Sequence, residues 1–206
     1  MRCWASSRAS KPRGVRAMRN VLLIDNLDSF SFNLVEAFER LDCRVSVRRN
    51  TIAAGEAIAL AEAEHALIVL SPGPGRPEDA GSLMSIVDAA IGRCDVLGIC
   101  LGQQAIVLHA GGRVDRAPVP VHGKAWPLDH DCRGPFTGLP GPLRVGRYHS
   151  LCTPNPPERF TVHARIGAMA MAISDRAARQ TGLQFHPESI LTRDGDAMLA
   201  NILAGR

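Results

Sequence analysis

Residues 95–104 have the sequence DVLGICLGQQ, and this stretch decides the fold class of the chain. Its apolar first half, Asp95–Ile99, predicts a buried strand, and Gly102–Ala110 predicts a helix directly after it. The turn between them, Gly98-Ile99-Cys100-Leu101-Gly102, has the G-x-nucleophile-x-G pattern of a sharp strand-to-helix connection. Such a turn would hold the Cys100 thiol beside a helix N-terminus, whose dipole favours a thiolate. The alternative is a structural cysteine buried in a glycine-containing turn.

Strand and helix patterns alternate on the N-terminal side of this turn. Short apolar or alternating runs predict strands at Val21–Asp25, Arg44–Arg48 and Ala66–Ser71. Helical patterns predict helices at Ser29–Leu41, with Ser29 as its N-cap, at Gly55–Ala63 and at Gly81–Ile91. Strands that alternate with helices form right-handed βαβ units. We therefore predict an α/β fold with an open, mostly parallel sheet and helices on both faces.

A different pattern follows Gly112. Pro and Gly residues separate short strand-like runs at Leu143–Tyr148, Phe160–Ala164, Met169–Ile173 and Gly182–Phe185. These runs predict a small antiparallel extension and the last strands of the main sheet. A closing helix is predicted at Asp194–Leu203.

The composition fits one globular domain that binds neither membranes nor nucleic acid. Hydrophobic residues make up 46% of the chain and charged residues 21%, and no apolar run approaches the roughly 20 residues that span a bilayer. The net charge of +4 comes from residues 1–19, because the rest of the chain has 18 basic and 20 acidic residues. We expect residues 1–19 to be a basic, disordered extension and residues 20–206 to be the domain.

The basic extension has two interpretations. It is rich in Arg and Ser and lacks acids, as organelle transit peptides do. A translation start at Met18 is favoured instead, because a strand pattern begins at once after it. The extension has no apolar segment typical of a secretory signal, and the six cysteines form no CxxC pair. Both observations favour a cytoplasmic location.

His186 is the best candidate for a base that could accept the thiol proton. It lies in Gln184-Phe185-His186-Pro187-Glu188-Ser189, after a predicted core strand, and should reach the same sheet edge as Cys100. Glu188 can return to hydrogen-bond the imidazole and fix its tautomer. The alternative is an ordinary histidine at a strand end with a solvated glutamate beside it.

A third segment, Ser71-Pro72-Gly73-Pro74-Gly75, follows another predicted strand. Its glycines allow backbone N–H groups to point at a developing oxyanion, and its prolines keep the loop in one shape. It could instead be only a tight turn. The phosphate-binding motif G-x-x-x-x-G-K-[ST] does not occur in the chain.

Four segments together resemble one family. These are PGPG at 72–75, GICLGQQ at 98–104, YHSL at 148–151 and QFHPES at 184–189. Their order and spacing are similar to those of class I (triad) glutamine amidotransferases, over about residues 20–204. The resemblance implies the fold of this family. It also implies hydrolysis of L-glutamine through a glutamyl thioester and delivery of the ammonia to a synthase partner.

The resemblance also implies roles for individual residues. Cys100 matches the nucleophile of the family, His186 its base and Glu188 the third member of the triad. The oxyanion and glutamine-contacting positions correspond to Gly73, Pro74, Gly75 and the backbone of Leu101.

Three further positions correspond to glutamine-binding residues. Gln104 matches a side chain that holds the substrate, and Ser150 and Leu151 match a segment whose backbone binds the α-amino and α-carboxylate groups. The chain departs from the family at Gln103, where His is common. That position neighbours the site and is not a member of the triad.

Other segments indicate the subfamily. DNLDSF at 25–30, HGK at 122–124 and HPESIL at 186–191 resemble the glutaminase subunits of anthranilate and aminodeoxychorismate synthases. The implied partner is a large chorismate-binding subunit, in a heterodimer or heterotetramer. Anthranilate synthase is favoured, and aminodeoxychorismate synthase is the alternative. Mg²⁺ is expected in that partner, so we expect no cofactor and no metal site in this chain.

Two other function classes remain open. One is a Cys-dependent hydrolase of the same architecture, although such an enzyme would not need the amino-acid-binding set of Gln104, Ser150 and Leu151. The other is a non-catalytic module that only binds a partner, against which the intact triad argues. A glutaminase assay tests the first, and labelling of Cys100 with a glutamine-analogue alkylator tests the second.

Overall fold

A seven-stranded sheet organises residues 18–205, the part of the chain that the computed structural model describes. The strands are β1 (Arg19–Asp25), β2 (Cys43–Arg49), β3 (Leu67–Leu70), β4 (Val96–Ile99), β5 (Asp115–Arg116), β6 (Lys124–Leu128), β7 (Leu143–Arg147), β8 (Leu151–Cys152), β9 (Thr161–Ile166), β10 (Met169–Asp175) and β11 (Gln180–Leu183). The main sheet has the order β2-β1-β3-β4-β11-β10-β9. Its first five strands are parallel, and β10 is antiparallel to both of its neighbours, β11 and β9.

Helices cover both faces of this sheet. They are α1 (Ser31–Glu39), α2 (Ala54–Glu64), α3 (Leu83–Ala90), α4 (Leu101–His109) and α5 (Gly195–Leu203). Because alternate residues of a strand point to opposite faces, Val21 and Leu23 pack with α1 and α5, whereas Leu22 and Ile24 pack with α2, α3 and α4. The predicted α/β fold and its strands and helices are therefore confirmed, with shifts of a few residues at their ends.

The predicted N-cap of the first helix is wrong. Phe30 and not Ser29 precedes α1, and no side chain caps the helix. The Asp25 carboxylate accepts hydrogen bonds from the Leu27 backbone N–H (3.0 Å) and the Ser31 hydroxyl (2.7 Å), which folds the loop around Asp25 and starts the helix later. Packing compensates for the missing cap, because fully buried apolar side chains such as Phe38 contribute about 1.5–3 kcal/mol each.

The antiparallel extension consists of two small ribbons. Strand β5 pairs with β8, and β6 pairs with β7. The second ribbon joins the main sheet where the backbone N–H of His186 donates to the Gly146 carbonyl (3.1 Å). This contact brings the end of β7, and the Tyr148–Leu151 segment after it, to the residues that follow β11.

Four parallel strands end at one edge of the sheet. In the register of the ladder Ile24 lies beside Leu70, Leu70 beside Gly98, and Ile99 beside Leu183. The residues that directly follow β3, β4 and β11 are Ser71, Cys100 and Gln184. In β1, Ile24 is followed by Asp25 and then by Asn26. Residues far apart in the chain therefore meet at this carboxyl edge.

No helix within residues 18–205 is long and apolar enough to cross a membrane.

Candidate active site

Cys100 lies at the turn between β4 and α4 in a conformation that is rare for a residue with a side chain. Its φ is 52° and its ψ is −98°, outside the common backbone regions. The turn is held by hydrogen bonds from the Cys100 N–H to the Leu183 carbonyl (2.7 Å) and from the Gln104 N–H to the Cys100 carbonyl (3.1 Å). Cys100 is 8% exposed, so the thiol is buried beside the first turn of α4.

The glycines on either side of Cys100 are required by close packing. A Cβ atom on Gly98 would lie 2.7 Å from the backbone nitrogen of Gln103, and one on Gly102 would lie 2.8 Å from the Leu70 Cβ. Side chains at these positions would push α4 away from β4 and β3. The G-x-C-x-G pattern therefore reflects the tight approach that the turn needs.

His186 and Glu188 form a buried pair. The imidazole Nδ1 lies 2.7 Å from Glu188 Oε1, and the two side chains are 3% and 0% exposed. Burial by itself lowers the pKa of His186, but interactions with Cys100 and Glu188 outweigh it and raise the pKa to about 10. The buried Nε2 makes no hydrogen bond of standard geometry within the described residues. Because Nδ1 is held by Glu188, Nε2 is the ring nitrogen that can exchange a proton with Cys100.

Two aromatic rings enclose the imidazole. The ring centroids of Phe30 and Tyr148 lie 5.3 Å and 4.9 Å from that of His186, and 4.9 Å from each other. The Tyr148 hydroxyl is 3.0 Å from Ser189 Oγ. These apolar walls limit the access of water to the pair. Neither ring was predicted from the sequence to belong to the site, although Phe30 lies in DNLDSF and Tyr148 in YHSL.

The glycine loop packs against the start of α4. A Cβ on Gly73 would lie 2.7 Å from both Asn26 Cβ and Leu101 Cδ2, so this position requires a glycine. Asn26 holds the loop through its N–H to Ser71 Oγ (2.8 Å) and its Nδ2 to the Ser71 carbonyl (2.9 Å). Pro74 and Gly75 are exposed, with Gly75 at a φ of 76°. The loop and the Leu101 backbone therefore border the same space.

The segment expected to bind glutamine is connected to the nucleophile by hydrogen bonds. Gln104 Nε2 lies 3.2 Å from the Leu151 carbonyl and 3.2 Å from Gln184 Oε1. Gln184 Nε2 donates in turn to Cys100 Sγ at 3.6 Å. Ser150 is exposed, and its carbonyl accepts from Ala117 N–H (2.8 Å). Gln184 was not singled out from the sequence, although a polar residue at the end of a core strand is a signal that could have identified it.

Gln103 does not face this space. Its side chain is fully buried between α4 and β10, where Nε2 donates to Thr153 Oγ1 (3.1 Å) and to the Ala170 carbonyl (3.0 Å). The departure from the common family residue therefore changes packing behind α4.

Within residues 18–205 no group of three or more His, Cys, Asp or Glu side chains is arranged to hold a metal ion.

Comparison with known proteins decides the family. The model of the class-I glutamine amidotransferase family matches residues 22–205. The chain belongs to this family. This amidotransferase is therefore an enzyme of the glutamine-hydrolysing class, and the sequence resemblance is confirmed.

Curated relatives cover most of the amidotransferase. It is 50% identical over 186 residues to the pyocyanine-specific anthranilate synthase component 2 of Pseudomonas aeruginosa, covering 89% of this chain and 92% of that protein. It is 42% identical to anthranilate synthase component 2 of Buchnera aphidicola (90% and 94% covered). The corresponding protein of Vibrio parahaemolyticus is 40% identical (90% and 95% covered).

Solved structures share the fold. A putative GMP synthase protein from Thermoplasma acidophilum superposes with a TM-score of 0.80 at 24% identity, covering 92% of this chain and 94% of that one. A glutamine amidotransferase from Thermotoga maritima gives a TM-score of 0.70 at 17% identity, covering 92% and 98%. At these identities the likeness shows the fold alone.

Proposed function

We propose that this chain hydrolyses L-glutamine through a Cys100 thioester and supplies the ammonia to a large chorismate-binding synthase subunit, with anthranilate synthase favoured. The observation on which the chemistry rests is the buried His186–Glu188 pair, whose imidazole interacts with the strained Cys100. The choice of partner rests on relatives of 40–50% identity that are named anthranilate synthase component 2.

The first half of the reaction forms the thioester. The Cys100 thiolate attacks the carboxamide carbon of glutamine, and backbone N–H groups of Leu101 and the 73–75 loop stabilise the oxyanion. The C–N bond then breaks, and the His186 imidazolium gives its proton to the departing ammonia. Its raised pKa suits this role, because the imidazolium is the form that must be present before the amine leaves.

The second half releases glutamate. Neutral His186 takes a proton from water as that water attacks the thioester carbonyl, and the Cys100–carbon bond breaks to restore the thiolate. Glu188 keeps the imidazole in the required tautomer and stabilises its cationic form. Gln104 and the backbone of Ser150 and Leu151 hold the substrate while this occurs.

The partner docks on the carboxyl edge in this proposal. Several large apolar side chains are exposed on segments around the site, among them Leu27 (61%), Phe32 (78%) and Ile190 (93%). Tyr148 links these segments, since its ring contacts Phe30 and His122 (5.6 Å) as well as His186. Exposed apolar groups at the mouth of a site are typical of a docking face. Mg²⁺ and chorismate belong to the partner, and the location is cytoplasmic.

The decisive experiment separates the two activities of the assembled complex. Cys100→Ser should abolish glutamine-dependent product formation while ammonia-dependent formation continues at the wild-type rate, because only the thiol attacks the amide. The controls are the wild-type complex and the purified chorismate-binding partner. Loss of ammonia-dependent turnover in a folded, assembled variant would contradict the division of labour. Formation of aminodeoxychorismate instead of anthranilate would favour the alternative partner.

A further inference from the structure

Arg147 is a cation in the interior of the protein. It ends β7, is 1% exposed, and is the largest fully buried side chain in the described part of the chain. Its guanidinium lies near the Trp126 ring (5.1 Å), the Val119 carbonyl (3.5 Å) and the Met169 sulfur (3.9 Å). These partners include no carboxylate, and burial lowers the pKa of Arg147. Because a buried charge without a carboxylate partner is costly, the contacts that the guanidinium does make carry its structural role.

The fourth partner of Arg147 is His149. Arg147 Nε donates to His149 Nε2 at 3.1 Å. A guanidinium has no acceptor, so Nε2 must be the unprotonated nitrogen of the ring. The proton is then on Nδ1, which donates to the Leu151 carbonyl at 2.8 Å. Arg147 thereby selects one neutral tautomer of His149.

The electrostatic environment favours the same state. Burial of His149, which is 3% exposed, lowers its pKa, and the charges of Arg147 and His186 lower it further, to about 4. The imidazole is therefore neutral near pH 7. Its Nδ1–H is available to the Leu151 carbonyl throughout the range in which the enzyme would act.

The hydrogen bonds continue from Leu151 to the nucleophile. The Leu151 carbonyl that accepts from His149 also accepts from Gln104 Nε2 (3.2 Å). Gln104 contacts Gln184 (3.2 Å), and Gln184 donates to Cys100 Sγ (3.6 Å). One path of hydrogen bonds thus connects the buried guanidinium with the thiol.

We propose that Arg147 is a positioning residue, which fixes the tautomer of His149 and so holds the Leu151 carbonyl and Gln104 in place for glutamine. The inference rests on the proposed function, since it assigns glutamine to Gln104, Ser150 and Leu151. Arg147 itself touches neither the substrate nor the reacting atoms. Its loss should therefore weaken glutamine binding more than it slows the chemical step.

Arg147→Met tests this, because Met fills the apolar space but donates no hydrogen bond. The KM for glutamine should rise about tenfold, as expected for loss of one or two substrate hydrogen bonds, with kcat changed less than about threefold. Arg147→Lys retains a cationic donor and should recover part of the affinity. Arg144→Met is the matched control, because Arg144 is an exposed arginine on the same strand, and it should leave KM within about twofold.

The tautomer and the pKa of His149 distinguish a positioning role of Arg147 from a role in packing alone. In wild type, ¹⁵N NMR of the imidazole should show a protonated Nδ1, an unprotonated Nε2 and no titration between about pH 5.5 and 8, as the lowered pKa requires. In Arg147→Met the pKa of the ring should rise, because the charge of Arg147 is gone, although burial still lowers it. Nε2 also loses its donor, so the ¹⁵N shifts should move towards those of a tautomer mixture. Unchanged NMR signals in that variant would overturn the proposal.

A double-mutant cycle tests whether Arg147 acts through His149. Asn in place of His149 can still donate to the Leu151 carbonyl but cannot change tautomer or titrate. Adding Arg147→Met to His149→Asn should therefore raise KM no more than about twofold. A rise of about tenfold in both backgrounds would refute the route through His149. A wild-type enzyme without glutaminase activity would instead refute the proposed function, and the NMR experiment would still test the role of Arg147.

Discussion

The same substitution, Gly to Ala, should have opposite effects at two equivalent helix positions. Gly55 is the second residue of α2, and Gly102 is the second residue of α4. Neither has a positive φ, so alanine is conformationally allowed at both. On helix propensity alone each change would stabilise the protein, by up to about 1 kcal/mol.

The surroundings of the two positions differ. A Cβ on Gly55 meets nothing within 4 Å. A Cβ on Gly102 would lie 2.8 Å from Leu70 Cβ and closer still to the Leu70 carbonyl oxygen. To reach an ordinary contact of 3.4 Å with Leu70 Cβ, α4 must move by about 0.6 Å relative to β3, and the closer contact with the carbonyl oxygen requires about 1 Å. The backbone on both sides is held by hydrogen bonds and cannot yield as a flexible side chain could.

The expected magnitudes follow from this displacement. Overpacking of a core costs about 1–3 kcal/mol, so Gly102→Ala should destabilise the protein by about 2 kcal/mol. For a protein of this size that lowers the Tm by roughly 4–8 °C. Because α4 begins directly after Cys100, and a misplacement of about 1 Å can cost about 100-fold in rate, glutamine-dependent turnover should fall at least about tenfold. Gly55→Ala should leave turnover unchanged and the Tm equal or higher.

Thermal unfolding followed by circular dichroism measures the stability of both variants, and glutamate release by the assembled complex measures turnover. Ammonia-dependent synthesis serves as the control for assembly, and it should be unaffected in both. A Gly102→Ala protein with wild-type Tm and wild-type glutamate release would refute the steric reasoning.

Four further outcomes are expected. His186→Ala should lose at least about tenfold more glutamine-dependent turnover than Glu188→Gln, because the first removes the base and the second only weakens its support; equal losses in single-turnover thioester formation would contradict this. Because the pKa of His186 is raised above its usual 6.5 to about 10, the stability that its ion pair contributes is complete below pH 6.5 and is lost as the pH rises towards 10. The Tm advantage of wild type over Glu188→Gln should shrink across that interval. Deletion of residues 1–17, which lie outside the described residues, should leave the Tm and glutaminase activity intact, as a basic segment without apolar periodicity predicts. Ile190→Asp should weaken co-purification with the proposed chorismate-binding partner by at least about tenfold, and Val47→Asp on the edge strand β2 should not.

The sequence alone predicted the elements that arise from local chemistry. Hydrophobic period distinguishes buried strands from amphipathic helices, so the strand at Val96–Ile99 and the helix after Cys100 could be located within a few residues. The glycines around Cys100 indicated a tight turn, and the structure shows the backbone contacts that require them. The grouping of Cys100, His186 and Glu188 also came from local motifs.

Local patterns failed where a competing partner came from elsewhere in the chain. Ser29 has the residue type of an N-cap, but the hydrogen bonds that Asp25 accepts start α1 at Ser31. Gln103 and Gln104 are adjacent and chemically identical. On a helix, neighbours point in different directions, so Gln103 packs against β10 while Gln104 reaches Leu151.

Only the tertiary structure could show the polar path from Arg147 to Cys100. Gln184 lies beside Cys100, 84 positions away in sequence, because β11 inserts next to β4, and no local pattern states that strand order. The burial of Arg147 likewise depends on the ribbon β6–β7 covering it with Trp126. The spacing of apolar residues and the short motifs determine whether a segment forms a strand, a helix or a turn, because that choice depends on neighbours within a few residues. Strand order and packing determine which distant side chains share a hydrogen bond. Strand order and packing in turn depend on the free energy of the whole fold, which no local segment contains.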